Sequence, residues 1–499
     1  MGLDDIIKTR MEKLKQLKER GINPYPHKFN RDTISTTLHD QFDNLLEPGE
    51  ERRDTDYSLA GRIMLIRDFG KLMFLVLDDG FGRIQLCLKK GETPDETIKL
   101  VKKYLDEGDI IGVRGYVFKT KKGETTIMVK ELILLSKSLR PLPEKWHGLV
   151  DVEERYRKRY VDLIINPEVR EIFIKRSIII KTLRDYLWEN QFLEVEVPIV
   201  QPVYGGAFAK PFKTYSNAWE TEMYLSISPE LYLKRLLVGG FDRVFTITKA
   251  FRNEDVDRTH NPEFTMMEAY ASYWDYNDVM DFTEKLFLKV AGVLYEGTKI
   301  VYGDVEIDLS PPWKRLTMKD ALKELAGLKV DDMDEQEMYR LLKEMGVDVE
   351  PRLSRGQLIA ELFEAYCEDK LIQPTFIMDY PRETTPLCKL HRKDPKLVER
   401  FELYINGWEM ANAYSELNDP ILQRELFKQQ EELRKKKGEY HPMDEDFVEA
   451  LEYGMPPAGG LGIGIDRMVM LFTNSQSIRD IILFPQLRPK EKKNREQEK

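Results

Sequence analysis

The stretch FRNEDVDRTHNPEF, Phe251 to Phe264, decides how this chain is read. RVFTITKAF (243–251) runs into it and EFTMMEAYASY (263–273) runs out of it. Both flanks are apolar and β-prone, so together they read as an antiparallel hairpin. A connection that merely reverses the chain needs about two to five residues. This one is longer, and it gathers Arg252, Asn253, Glu254, His260 and Asn261, groups that bind anions or accept protons. Polar loops of that kind on a rigid sheet are where binding and catalysis collect. Arg252 and Glu254 share a strand parity and are expected on one face, as are Glu268 and Tyr270 on the return strand.

Two later segments carry compatible chemistry. In ERFELYINGWEMANAYSELND, Glu399 to Asp419, Asn406-Gly407 is a strong signal for a two-residue hairpin turn. Pairing outward from that turn sets Ile405 opposite Trp408 and Tyr404 opposite Glu409. Glu402 then falls diagonal to Glu409, close enough for one hard cation to touch both carboxylates. In AGGLGIGIDRMVMLF, Ala458 to Phe472, Gly460, Gly462 and Gly464 alternate, which leaves one strand face bare for a close approach. Arg467 follows at the start of a helix, where its planar guanidinium can cover a base and reach phosphate.

With 499 residues, two or more domains are expected. No apolar run approaches the roughly 18–20 residues that span a bilayer, and MGLDDIIKTR has no signal-peptide core, so the expected location is cytoplasmic. Cys87, Cys367 and Cys388 are far apart with no CxxC pair, which argues against a disulfide framework or a structural zinc site. The formal charge is −10, so a polyanion must meet a locally basic surface. KTRMEKLKQLKER (8–20) offers one, with Ile7, Met11, Leu14 and Leu17 as its expected apolar stripe and the basic residues outward.

From Tyr57 to Leu135, short strand-like runs alternate with glycine turns around one helix, DETIKLVKKYLDEG, the pattern of a small oligonucleotide-binding (OB) barrel. On its strands Phe74 is suited to stacking a base, and Arg62, Gln85 and Glu131 to reading base edges. The expected division is an N-terminal helical extension (1–56), the OB barrel (57–137), a linker (138–150), an α+β domain on an antiparallel sheet (151–490) with a helical insertion about 318–370, and a charged tail (491–499). Strands are expected to dominate from Pro198 to about residue 309.

In combination these segments resemble a class II aminoacyl-tRNA synthetase, and specifically the class II lysyl enzymes. The helix and strand ending at Pro198 resemble motif 1, FRNE…HNPEF motif 2 and GLGIGIDR motif 3, while LRPLPEKWHGL, RYRKRYVDLI, PELYLKRLLVGGF and NPEFTMMEAY are close to lysyl wording. The resemblance implies that Arg252 and Arg467 act in catalysis. ATP would be held by Arg252, Glu254, His260, Asn261, Phe264, Glu402, Glu409, Gly464 and Arg467. Glu402 and Glu409 would bind Mg²⁺, up to three ions per subunit. It also implies a homodimer built on motif 1, with ATP, L-lysine and a lysine tRNA as substrates and Phe74, Arg62, Gln85 and Glu131 on the anticodon.

Aspartate and asparagine enzymes share the three motifs, so lysine needs its own residues. Glu230, Arg252, Glu268, Tyr270, Asn412, Tyr414 and Glu416 are the candidates, with Glu416 and the Tyr270 hydroxyl facing the substrate ε-ammonium. Glu409 and Asn412 are three apart yet should face one site, so a bulge or sharp twist is expected at Met410-Ala411. The pattern departs from the family at Trp408 and at Thr384-Thr385-Pro386. A synthetase-like protein without catalysis would have lost Arg252, Glu402, Glu409 or Arg467, and all four are present.

Overall fold

The computed structural model describes residues 2–143, 151–350, 352–436 and 443–489. Most of the expected linker and the whole charged tail lie outside them. The chain divides into two compact units, 1–150 and 151–499.

In the first unit, β1 (Glu51–Asp68), β2 (Leu72–Asp78), β3 (Arg83–Lys89), β4 (Ile110–Lys119) and β5 (Thr125–Ser136) close a barrel in the order β1-β2-β3-β5-β4. Alternation along β2 sends Met73, Leu75 and Leu77 inward and leaves Phe74 on the outer face. The first barrel strand begins at Glu51, ahead of the expected Tyr57. Leu17, Leu38, Phe42 and Leu46 from the preceding helical segment join the barrel's own core, so that segment is packed onto the barrel. The stripe on helix Leu3–Glu19 also differs from expectation. Arg10 is buried, donating to the carbonyls of Glu107, Ser138 and Arg140, whereas Met11 is exposed. A guanidinium that satisfies three carbonyls can occupy the inward position that apolar spacing assigned to its neighbour.

The second unit is built on an eight-stranded sheet. Its order is Lys314–Thr317, Thr375–Pro381, Leu397–Ile405, Trp408–Ser415, Ala458–Gly464, Glu263–Ser272, Arg243–Phe251 and Leu193–Glu194. Only the two end pairings are parallel. The strand-rich reading of 198–309 is corrected by helix Tyr276–Leu294. Asp275 and Asp278 form a capping box at its start, and Val279, Met280, Phe282, Leu286, Phe287 and Val290 cover one sheet face. Each such burial stabilises by about 1.5–3 kcal/mol. Helices Met318–Ala326, Glu335–Glu344 and Arg355–Cys367 fill the sequence between the first two sheet strands and carry their own apolar cluster. With its apolar face covered by helices, the sheet turns its other face to the cleft described next. Among the described residues, no helix is long and apolar enough to cross a membrane.

Candidate active site

The site is laid out by strand register. Glycine strand Ala458–Gly464 lies between Glu263–Ser272 and Trp408–Ser415, so Tyr270, Gly460 and Tyr414 form one row across the sheet. Glu268, Gly462, Asn412 and Glu402 form the next row. The outward side chains of these rows wall a cleft of about 460 Å³ floored by bare glycines. Every site residue expected in this unit lines it except Glu416, which is completely buried beside it.

The turn at Asn406-Gly407 has both residues at positive φ, 57° and 70°, as the two-residue hairpin requires. Ile405 pairs with Trp408 and Tyr404 with Glu409, then Leu403 pairs with Ala411. Met410 is therefore the extra residue of a β-bulge, where the spacing of Glu409 and Asn412 demanded one. The bulge restores both side chains to the cleft face. Hairpin 243–272 also forms, but its strand ends at Phe251. Arg252 and Glu254 thus sit on the connecting loop, not on the strand, and still reach the cleft.

At the end of the cleft formed by the hairpin loop, the Arg252 guanidinium lies 5.0 Å from the Phe264 ring centroid. Its Nε is buried with no hydrogen-bond partner among the described residues, as is Asn261 Oδ1. Burial lowers the Arg252 pKa against the pull of Glu409, Glu254 and Glu268. Orphaned polar atoms in a cleft mark positions that a ligand completes. Arg467 donates to the Glu409 carbonyl at 2.7 Å and lies 3.3 Å from His260 Nε2. The opposite His260 nitrogen, Nδ1, is 2.7 Å from Asp257 Oδ2. Burial opposes ionisation of Asp257, but hydrogen bonds from His260 and from the Thr259 and His260 amides bring its carboxyl down to about 2.

Glu402 accepts from the hydroxyls of Tyr380 at 2.8 Å and Tyr404 at 2.6 Å, and pairs with Arg400. Asn412 bridges Arg400 and Glu402, so it serves the carboxylate pair as well as the cleft wall. Desolvation and then the charge of Glu402 raise the Glu409 carboxyl. Two carboxylates so placed that the charge of one raises the other are a donor set suited to a hard divalent cation. Among the described residues no group of three or more Asp, Glu, His or Cys is arranged to hold a metal.

At the far end lie three buried carboxylates. Glu268 accepts from Ser228 Oγ at 2.8 Å and the Tyr270 hydroxyl at 3.0 Å. Burial, then the Glu230 charge, push its carboxyl up to about 8 against those donors. Glu230 accepts from the Tyr414 hydroxyl at 2.5 Å and from Lys234 Nζ at 2.6 Å. Glu416 Oε2 is ion-paired with the same Lys234. Glu416 was expected to be open to a ligand ammonium; half of it is already taken by an internal one. Gly460 is what lets Glu416 lie there. A Cβ on it would stand 1.9 Å from Glu416 Oε1 and 2.5 Å from the Tyr270 ring, so at this position the bare face admits side chains.

Lys234 and Arg400 escaped the sequence reading. Arg400 had a signal, sharing strand parity with Glu402; Lys234 had one in its helical i,i+4 spacing from Glu230. Thr384, Thr385 and Pro386 line the cleft, whereas Trp408 packs edge-on against Tyr302 with centroids 4.9 Å apart.

In the barrel unit, Phe74 packs beside Cys87, Tyr116 and Met128 on the outer face, and the exposed Phe69 meets its ring edge-on at 6.3 Å. Gln85 donates to Thr126 Oγ1 at 3.0 Å, and Arg62 donates to the Gly108 carbonyl at 2.8 Å. Glu131 is exposed, opposite Arg114 in register and one bulge along β5 from Met128.

Residues 151–488 match the family of class II tRNA synthetases (D, K and N), and residues 57–135 match the OB-fold nucleic acid binding domain. The chain is 52% identical to a lysine–tRNA ligase of Carboxydothermus hydrogenoformans over 98% of this chain and 99% of that one. It is 49% identical to lysine–tRNA ligase 2 of Methanosarcina mazei over 96% and 94% of the two chains. A lysine–tRNA ligase of Thermosipho africanus is 49% identical, covering 98% and 97%.

Proposed function

This chain belongs to the class II tRNA synthetases of the D, K and N group, among the lysine–tRNA ligases, and on that premise we propose how its residues carry out that activity. It activates L-lysine with ATP and passes the lysyl group to the 3′ end of a lysine tRNA.

The observation that carries the lysine reading is the charge at the far end of the cleft. Three buried carboxylates, Glu230, Glu268 and Glu416, face one buried ammonium, Lys234. With all three carboxyls ionised two negative charges are left over, and free lysine brings two ammonium groups, one at Cα and one at Cε, that would favour that ionised state. Buried charges demand such partners. An aspartate side chain would meet repulsion here, and asparagine would leave a charge unmatched. Glu230 and Glu268 take the α-ammonium; Glu416 and Tyr270 take the ε-ammonium, with Tyr414 and Asn412 as walls.

In the first step a lysine carboxylate oxygen attacks the α-phosphorus of ATP, the bond to the β-phosphate oxygen breaks, and pyrophosphate leaves. No proton is transferred, so orientation and charge stabilisation supply the rate. Arg252 touches both the α-phosphate and the lysine carboxylate, Phe264 and Arg467 enclose the adenine, and Glu254, His260 and Asn261 contact the nucleotide. Gly464 lets the nucleotide approach the strand end closely. Glu402 and Glu409 would hold Mg²⁺, which would supply charge neutralisation at the phosphates. In the second step the terminal adenosine 3′-hydroxyl attacks the lysyl carbonyl and AMP departs.

Phe74, with Arg62, Gln85 and Glu131, reads the anticodon, supported by their placement on outward barrel strands. The enzyme works in the cytoplasm as a homodimer. ATP–pyrophosphate exchange with each of the twenty amino acids tests the reading: lysine should dominate, and exchange driven equally by aspartate or asparagine would overturn it.

A further inference from the structure

Lys234 belongs to no signature motif, yet it is a fully buried lysine at the lysine end of the cleft. Its Nζ joins two carboxylates from different elements, Glu230 of its own helix and Glu416 beyond strand Trp408–Ser415, and lies 5.3 Å from the Tyr414 ring centroid. Glu416 has only one oxygen engaged. Neither oxygen has a hydrogen-bond partner of normal geometry among the described residues; Oε2 keeps the ion pair with Lys234, and Oε1, with none, lies over Gly460, part of the cleft floor.

We propose that Lys234 is a positioning residue for side-chain recognition: it anchors Oε2 and favours the carboxylate form of Glu416, so that Oε1 alone is presented to the ε-ammonium. This rests on the assignment of Glu416 to the substrate side chain. A carboxyl this deep in an apolar wall otherwise takes up a proton, and a protonated Glu416 discriminates an amine from a hydroxyl poorly. Burial holds the Glu416 carboxyl well above its usual range even beside Lys234, and Lys234 is the group that limits the rise, so its loss raises that carboxyl further. The remaining groups facing the pair do not help. Glu230 and Glu268 are like charges, and Tyr270, Tyr414 and Cys388 are all held neutral by burial. The ammonium of Lys234 stays charged, because Glu230 and Glu416 outweigh its own desolvation.

The test is the lysine KM in pyrophosphate exchange between pH 6.5 and 9.5, expressed at each pH as the ratio of variant to unmodified enzyme. Lys234→Met should raise KM at least tenfold at pH 7, with the ratio falling severalfold by pH 9.5 as Glu416 loses its proton. The ATP KM should stay within twofold. Selectivity for lysine over 6-hydroxynorleucine should drop in parallel. Lys234→Arg should restore a flat ratio. Should the Met variant not fold, Lys234→Gln carries the same expectations. A ratio near one, or a penalty independent of pH, overturns the proposal. Glu416→Gln separates the layers. If its lysine KM is unchanged, the assignment of Glu416 itself is wrong. If that KM rises while the Lys234 variants are normal, only the proposal about Lys234 fails.

Discussion

At the scale of single residues, the amino-acid end of the cleft yields the sharpest expectations. Glu416→Gln keeps size and one acceptor but removes charge, and breaking a buried ion pair costs about 3–5 kcal/mol. The lysine KM should rise by about tenfold or more with the ATP KM nearly constant. Glu268 predicts a pH dependence. With its carboxyl raised to about 8 by burial and the Glu230 charge, it is mostly protonated at pH 7 and must release that proton to receive an ammonium. Lysine affinity should therefore strengthen as pH rises toward 8, by up to about tenfold per unit for one proton, and level off above it. Calorimetry in buffers of different ionisation enthalpy should detect the released proton, and Glu268→Gln should abolish it. Absence of release in the unmodified enzyme would refute the assignment. Gly460→Ala places a methyl against Glu416 and Tyr270, with overpacking strain of roughly 1–3 kcal/mol. Its lysine KM should rise while the melting temperature falls modestly; unchanged kinetics would mean the neighbours yield without consequence. Most of these residues were legible in the sequence because motif spacing places them. Lys234 was not, because a buried lysine is indistinguishable by type from a solvated one on a helix face.

At the scale of elements, the bulge at Met410 is the device that makes one hairpin serve two jobs. A strand of period two cannot aim positions three apart at one face. Deleting Met410 leaves Tyr404 opposite Glu409 and Leu403 opposite Ala411, and keeps Glu409 and Asn412, now two apart, on one face, but it removes the local bend. Pyrophosphate exchange should fall with far-UV circular dichroism retained; unchanged exchange would show that strand parity alone suffices and that the bend has no role. On the barrel, Phe74→Ala should remove roughly 1–3 kcal/mol of base stacking. It should weaken tRNA charging and spare pyrophosphate exchange; an equal fall in both would mark Phe74 as packing only. The bulge and the turn could be derived from spacing and from Asn-Gly. Helix Tyr276–Leu294 is missed by a reading in which strands dominate 198–309, although Asp275 and Asp278 announce it as a capping box. Arg10 was misplaced for a different reason: periodicity sorts residues by polarity and cannot foresee that three carbonyls will satisfy a buried guanidinium.

At the scale of the whole molecule, helix Pro167–Glu189 leaves Ile174 and Trp188 exposed, and Ile199 and Val200 beyond it are exposed as well. Apolar surface of that kind is normally covered by a symmetric copy. Sedimentation should give twice the 58.7 kDa chain mass, and a stable monomer at low concentration would refute it. The three cysteines carry another consequence. Cys87 lies in the barrel, Cys367 in the helical insertion and Cys388 against the backbone of Glu416, and all three are buried with thiol pKa values raised by desolvation. Each thiol reacts with an alkylating reagent only when its own neighbourhood opens. The chain thus contains three separate clocks for local unfolding, one per structural block, and lysine together with ATP should slow the Cys388 clock while leaving the Cys87 clock unchanged.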